Sequence, residues 1–525
     1  MKIVTSAQMT ALEQASEQRG VSTDTLMEKA GLAVAEAARK EMGGAAGVSV
    51  LVLVGPGNNG ADGLVAARHL RRWGAEVTAF VVTGRPDPDP KMALAQTYGV
   101  AILRSSGDSG MLELDRLLGR CRLVIDAVLG TGRSRPIEGA VKNVMMRLAA
   151  RRREQRPPLL LALDLPTGLK PDTGEVDPAC PYADVTAALG FPKRGLLEFP
   201  GSGRAGRMVV VDIGLPPDLP EEKEIYLELL SPEWVSRRLP CRPLDSHKGT
   251  FGHVLAVAGS RSYVGAAFLA CQAAVRVGAG LVTLATPREV YSIAAGKLTE
   301  VIHFPLPGDD EGRIDPNAAE LIRSALNNYT CLLVGCGMGW SSGTAKFLER
   351  LLLAEPPPQI PLIIDADGLN NLSRLPEWWR RLGGVATVTP HPGEMATLTG
   401  TSSLEVQQDR VEAARLWSSH WGVTVGLKGA FTVIADPGGP VRVSPFANPG
   451  LASGGTGDVL TGIIAGLMAQ GLSPTDATAC GVYLHGRAGE SVAAAMGNAG
   501  SAATDLIQVL PETMSGLRHG SGVGC

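Results

Sequence analysis

Short runs of Val, Ile, Leu and Ala alternate with longer stretches of mixed apolar and charged residues along almost the whole chain. In the first half the apolar runs fall at 49–54, 77–82, 123–128, 159–163 and 208–212. In the second half they fall at 253–258, 281–285, 331–334, 362–364, 385–389, 423–427 and 431–435. Runs of this length read as strands. Because they are apolar at nearly every position, both faces of each strand are expected to be covered. With helices between them, the predicted fold class is α/β, built of doubly wound parallel sheets. Ligands in such folds bind outside the carboxyl ends of the strands. Thr5 and Gln8 have the spacing of a capping box and predict an amphipathic helix near the start of the chain.

The rhythm breaks between 214 and 249, where prolines stand at 216, 217, 220, 232, 240 and 243 beside the run Glu-Glu-Lys-Glu. The chain of 525 residues is too long for one core. The expected division is therefore one domain over 1–220, a linker over 221–244 holding a short helix or strand, a second domain over 245–515, and a flexible glycine-rich tail over 516–525. A hydrophobic content of 45% with 19% charged residues describes an ordinary globular protein, and the net charge of −3 argues against nucleic-acid and anionic-membrane partners. No apolar run reaches membrane-spanning length, and no signal-peptide core is present at the start. The eight cysteines include no CxxC pair and read as reduced core residues of a cytoplasmic protein. A homo-oligomer is expected.

Candidate chemistry in the first half lies at strand ends. After the run at 49–54 comes Gly55-Pro-Gly-Asn58-Asn59-Gly60-Ala61-Asp62-Gly63, followed by a helical pattern. Formally this contains GxGxxG in a strand–turn–helix context, a phosphate- or dinucleotide-binding turn. Two features resist an ordinary nicotinamide oxidoreductase. The turn is crowded with side-chain oxygens, and the next strand ends in Thr83-Gly84-Arg85 with no acid to hold a ribose 2′-hydroxyl. Arg85 is instead a hint toward a 2′-phosphate. Two further strand ends carry Asp126, before Leu-Gly130-Thr131-Gly132, and Asp164, before Leu-Pro-Thr167-Gly. Asn59, Asp126 and Thr167 could share a hard cation through oxygen; each taken singly could equally cap a helix or anchor a loop. Lys193, in Gly-Phe-Pro-Lys-Arg-Gly, reads either as a site residue or as a solvated surface lysine.

These segments together, GPGNNGADG, IDAVLGTG, DLPTG and FPKRG, resemble the NAD(P)H-hydrate epimerase domain over about the first 215 residues. The resemblance implies a Rossmann-like three-layer sandwich. It implies that Asn58, Asn59, Gly60, Ala61, Asp62, the loop Gly130, Thr131, Gly132, Arg133, Ser134, Arg135 and Pro136, and Asp164 hold the hydrated nucleotide. It also implies a potassium ion at Asn59, Asp126 and Thr167. The family usually has Gly where this chain has Ala61, and Ser where it has Thr167.

The second half contains Asn448-Pro-Gly-Leu-Ala-Ser-Gly-Gly-Thr-Gly457-Asp458-Val-Leu-Thr-Gly462. Its glycines let backbone amides approach an anion at what reads as a helix start. Asp458 sits where those amides converge. A carboxylate there would repel a phosphate to no benefit unless it takes a proton from a hydroxyl that attacks the phosphate. Asp365-Ala-Asp367 puts two carboxylates at a strand end, either drawing magnesium through water or capping a helix. His391 is held between prolines and aimed at substrate, and Lys428 follows a buried strand, placed for a nucleotide phosphate. The small residues from 264 to 267 admit a flat ring or serve tight packing.

The ordered set HKGTFGHVLAVAGS, DADGLN, TPHPGE, LKGA and NPGLASGGTGDVLTG resembles the ADP-dependent NAD(P)H-hydrate dehydratase, a ribokinase-like fold, over about 245–510. The resemblance implies substrate contacts at Ala266, Gly337, His391 and Asp458. It places nucleotide contacts at Lys428, Gly429, Ala430, Phe431, Thr432 and Gly457. The cofactors it implies are ADP and magnesium, and the substrates NADHX and NADPHX. Together the halves read as a repair enzyme that epimerises hydrated nicotinamide nucleotides and dehydrates the S form. The alternative is a vitamin or sugar kinase with a regulatory nucleotide-binding N-terminal domain. The sequence leaves ADP against ATP open.

Overall fold

The computed structural model describes residues 1–86, 88–132, 136–383 and 385–520. They form two compact units, divided between Tyr226 and Leu227. In the first unit the strands are β1 (Ser49–Val54), β2 (Glu76–Val81), β3 (Ala101–Arg104), β4 (Leu123–Ala127), β5 (Leu159–Leu163), β6 (Val185–Leu189) and β7 (Arg207–Val211). They make one sheet in the order β3-β2-β1-β4-β5-β6-β7, parallel throughout. This order reverses between β1 and β4, which opens a crevice at their carboxyl ends.

Strand β1 explains why the sheet is covered twice. Successive side chains point to opposite faces. Val50, Val52 and Val54 pack with Leu12, Val34 and Leu64 on one side. Leu51 and Leu53 pack with Phe80, Leu114 and Leu148 on the other. The capping box is present: Gln8 N donates to Thr5 Oγ1 at 3.2 Å and Thr5 N donates to Gln8 Oε1 at 2.9 Å, opening the helix Ser6–Gln18.

The second unit holds β8 (Leu227–Leu229), β9 (His253–Val257), β10 (Leu281–Pro287), β11 (Ile302–Leu306), β12 (Cys331–Val334), β13 (Leu362–Ile364), β14 (Ala386–Val388), β15 (Thr424–Leu427), β16 (Val433–Ala435) and β17 (Val441–Val443). Its sheet runs β11-β10-β9-β12-β13-β14-β15-β16-β17-β8. The switch point lies between β9 and β12. The helix Thr456–Ala469 lies close against the helix Val264–Arg276. Gly462 makes this possible, since a Cβ there would sit 2.1 Å from the Ala270 carbonyl oxygen.

Several expectations are corrected. The sheet is not wholly parallel: β15–β16 and β16–β17 are antiparallel, because short loops join them. The expected linker 221–244 is not a free connection, since β8 pairs with β17 at the sheet edge and Val235 and Leu239 enter the core. The tail expected from 516 is helical as far as Gly520 in the helix Ala503–Gly520, with 521–525 outside the described residues. Strands β3, β6, β8, β11 and β17 escaped the reading of apolar runs. Four of these, β3, β8, β11 and β17, mix polar residues or proline with apolar ones, as edge or near-edge strands tolerate. Six cysteines are buried free thiols, but Cys241 is exposed and disulfide-bonded, so the uniform reading as reduced core residues does not hold for it. No helix among the described residues is long and apolar enough to cross a membrane.

Candidate active sites

The first crevice is built by the turn after β1. The helix Asn58–Arg72 starts directly behind Gly57, and its first amides face the crevice without a side-chain cap. Only glycine fits at 60, where a Cβ would lie 2.1 Å from the Gly55 carbonyl oxygen. Asn59 is buried, and its Nδ2 has no hydrogen-bond partner among the described residues. Its Oδ1 lies 3.2 Å from where a Cβ on Gly130 would be, so the turns after β1 and β4 touch. Ala61 and Asp62 are buried near the start of the same helix.

Asp126 and Thr167 are bonded to one another. Thr167 Oγ1 donates to Asp126 Oδ1 at 2.7 Å, and Thr167 N donates to Oδ2 at 2.8 Å. Asp126 is wholly buried, and no cationic side chain among the described residues pairs with it. Burial raises its pKa, only partly offset by the Thr167 and Val128 donors. Asp164 adopts φ +67° and accepts from Lys193 Nζ at 2.5 Å and Leu189 N at 3.0 Å. Lys193 is 1% exposed, which excludes the surface reading. Burial pushes the Asp62 carboxyl well above the ordinary value, and the charges of Asp164 and Glu13 push the same way.

The loop after β4 continues through Thr131 and Gly132, and beyond Pro136 it is anchored where Ile137 N donates to Asp177 Oδ2 at 2.9 Å. Arg133, Ser134 and Arg135 lie outside the described residues. The hint that Arg85 serves a 2′-phosphate is corrected. Its Nε pairs with Asp89 Oδ2 at 2.5 Å and its Nη1 donates to the carbonyls of Gly55 at 2.5 Å and Gly57 at 3.1 Å, so the guanidinium braces the turn.

The second crevice lies at the β9/β12 switch. Gly337 adopts φ +66°, and a Cβ there would lie 2.7 Å from Tyr263 Cβ and 2.8 Å from Ala266 Cβ, so the two expected substrate contacts adjoin. Ser260 Oγ donates to the Gly337 carbonyl at 2.7 Å. The preceding Cys336 is fully buried, with its thiol beside the Asp458 carboxylate. Asp458 stands in the first turn of the helix Thr456–Ala469, whose N-cap is Gly455 at φ +89°. Its carboxyl is pushed up to about 6, first by burial and then by the Asp365 charge; Cys336 and Lys428 pull the other way.

Lys428 Nζ lies 3.7 Å from where a Cβ on Gly457 would be, which joins the expected nucleotide residues to the turn that carries Asp458. It pairs with Asp365 Oδ1 at 2.6 Å and lies 3.5 Å from Glu394 Oε2. Burial works against its ammonium, but Asp365 and Glu394 outweigh that and raise its pKa. His391 caps the helix Pro392–Thr399: Nδ1 accepts from Gly393 N at 3.0 Å and Glu394 N at 3.2 Å, leaving Nε2 to carry the proton. Gly429, Ala430, Phe431 and Thr432 form the turn after β15, where Thr432 Oγ1 donates to the Gly429 carbonyl at 2.9 Å and Phe431 N to the Phe446 carbonyl at 2.8 Å.

The relatives decide what these two crevices belong to. The family described as YjeF-related protein N-terminus matches residues 23–195, and the family described as NAD(P)H-hydrate dehydratase matches 254–512. A bifunctional NAD(P)H-hydrate repair enzyme from Moorella thermoacetica is 40% identical over 99% of this chain and 98% of its own. This chain belongs to the bifunctional NAD(P)H-hydrate repair enzymes. A second such enzyme, from Salinibacter ruber, is 35% identical over 99% of this chain and 97% of its own. A solved ADP/ATP-dependent NAD(P)H-hydrate dehydratase from Bacillus subtilis is 31% identical, covers 55% of this chain and 98% of its own, and has a TM-score of 0.48.

Four residues of this repair enzyme went unseen in the sequence. Glu13 lies before the first matched segment, and its charge acts on Asp62. Arg410 Nη2 donates to the carbonyls of Leu427 at 3.0 Å and Lys428 at 3.1 Å and so holds the turn after β15. Thr461 Oγ1 donates to the Asp365 carboxylate, and the Cys336 thiol lies beside that of Asp458. Glu13 and Arg410 lie in no glycine turn that would mark them, whereas Cys336 lies inside the turn from Gly335 to Gly339 and Thr461 inside the stretch from Asn448 to Gly462, where the carboxylate that each one meets is not visible locally.

Proposed function

We propose that the C-terminal crevice dehydrates the S form of hydrated NADH or NADPH with ADP as phosphoryl donor, and that the N-terminal crevice interconverts the R and S forms. The observation that carries the first half is Asp458, its pKa pushed up to about 6, at a helix start beside Lys428. A base with a proton affinity near the working pH is suited to proton transfer. Asp458 takes the proton of the C6 hydroxyl. That oxygen attacks the terminal phosphorus of ADP and AMP leaves, with the charge steadied by Lys428 and by the amides from Gly454 to Gly457. The C6–phosphate bond then breaks with help from the ring nitrogen lone pair, and a proton is lost from C5. This restores the ring double bond and gives phosphate and NAD(P)H.

Among the described residues no group of three or more His, Cys, Asp and Glu side chains is arranged to hold a metal. This fits magnesium, which is commonly held by one or two carboxylates together with substrate phosphates. Asp367 and Glu394 are the carboxylates at hand, and the ion would supply charge neutralisation on the ADP phosphates. Potassium fits the other crevice: Asp126 is a buried carboxylate with no cationic partner among the described residues, and buried charges need one. Asn59, Asp126 and Thr167 would hold it.

For epimerisation, burial and the Asp164 charge raise the Asp62 pKa, which suits it to act as an acid. It donates to the departing C6 hydroxyl while the ring nitrogen supplies the electrons, and water returns to either face of C6, giving a proton back to the Asp62 carboxylate. Incubation with both epimers, with and without ADP, followed by absorbance of the reduced nicotinamide, tests the reading. Full recovery of both epimers is expected only with ADP. Phosphorylated product accumulating from a vitamin or sugar, with no recovery, would favour a kinase.

A further inference from the structure

Asp365 is 1% exposed and joins three elements. It follows β13; its Oδ1 accepts from Lys428 Nζ at 2.6 Å, beyond β15; its Oδ2 accepts from Thr461 Oγ1 at 2.5 Å, one turn along the helix from Asp458. Thr461 Oγ1 also lies 3.0 Å from the Gly457 carbonyl. The carboxylate therefore ties the phosphate-binding lysine to the helical turn that carries the base. A buried charge in this arrangement fixes its donors, since both oxygens are engaged and no water competes.

We propose that Asp365 is a positioning residue of the dehydratase reaction, holding Lys428 and the Asp458 turn in one geometry. This rests on the dehydratase reading above. It needs no metal: both Asp365 oxygens already have donors. Its charge also acts on Asp458, which is faced by Cys336 after β12, Lys428 after β15 and Asp367 at the start of the helix Asp367–Leu372, while Glu394 and His391 face the Lys428 end. Removing the Asp365 charge leaves Lys428 less neutralised. Both changes make Asp458 a weaker base.

The test is Asp365→Asn in the full chain, with dehydration measured across pH and across ADP and Mg2+ concentration. The KM for ADP should rise ~10-fold, as expected for loss of a charge-assisted bond. The acid limb of kcat/KM should move down by ~0.5–1 pH unit. An unchanged limb and KM would overturn the proposal. So would full restoration by raised Mg2+, which would make Asp365 a metal ligand. If that variant fails to fold, Thr461→Val carries the test: it keeps the charge and frees the helical turn, so kcat should fall with the KM for ADP unchanged, and parental kcat would overturn the proposal. Parent protein that fails to dehydrate at all would sink the underlying reading instead.

Discussion

Lys193 Nζ lies 2.5 Å from Asp164 Oδ1, and the two side chains are 1% and 8% exposed. The pair joins the loop after β6 to the end of β5, and Lys193 Nζ also donates to the Leu189 carbonyl at 2.9 Å. Lys193→Met leaves Asp164 buried and unpaired, which for a pair of this kind costs about 3–5 kcal/mol. Epimerisation should fall ~100-fold or more while dehydration of the pure S form stays at the parental rate. A calorimetric melt and two separate assays check it; equal losses in both activities would refute the assignment.

Asp458→Asn removes the base and keeps the shape. Dehydration should drop ~100–10,000-fold with epimerisation intact. In the parent, a base must be ionised to act. Its pKa is about 6, so kcat/KM for dehydration should be flat above that pH and fall as pH drops through it. An acid limb well below this value would remove Asp458 from the role.

The epimerase profile should have the opposite sign. Asp62 acts as an acid, so activity is lost as pH rises through its elevated pKa. Glu13→Gln removes one of the charges that raise it. The alkaline limb should then move to lower pH, with dehydration unaffected. A limb that stays in place in the variant argues against the coupling.

Replacing potassium by a bulky monovalent cation at constant ionic strength should depress epimerisation and leave dehydration unchanged. Asp126→Asn should make the epimerase indifferent to the choice of cation, because the buried charge that calls for one is gone. The readout is the rate of epimer interconversion in each salt.

Gly337→Ala tests the second crevice from its backbone. A Cβ would lie 2.7 Å from Tyr263 Cβ, and φ is +66°. Strain of about 1–3 kcal/mol at this turn should appear as a raised KM for the hydrate, with KM for ADP held. The kinetics of the two substrates separate these effects.

The sequence by itself determined the α/β class, the two sheets and the glycine turns. Short apolar runs have few alternatives to buried strands, and glycine turns announce close backbone approach locally. Asn58–Asp62, Asp126, Thr167, Gly337 and Lys428 were singled out because each sits at or near a strand end that the pattern marks, and Asp458 because it follows a glycine turn at a helix start. Only the tertiary structure decided that Arg85 braces a loop, that Lys193 is buried against Asp164, that β8 joins the second sheet, and that Asp365 bonds Lys428 and Thr461. These depend on which strands become neighbours. Burial and ion pairing are properties of groups brought together from distant parts of the chain, and no local pattern encodes them.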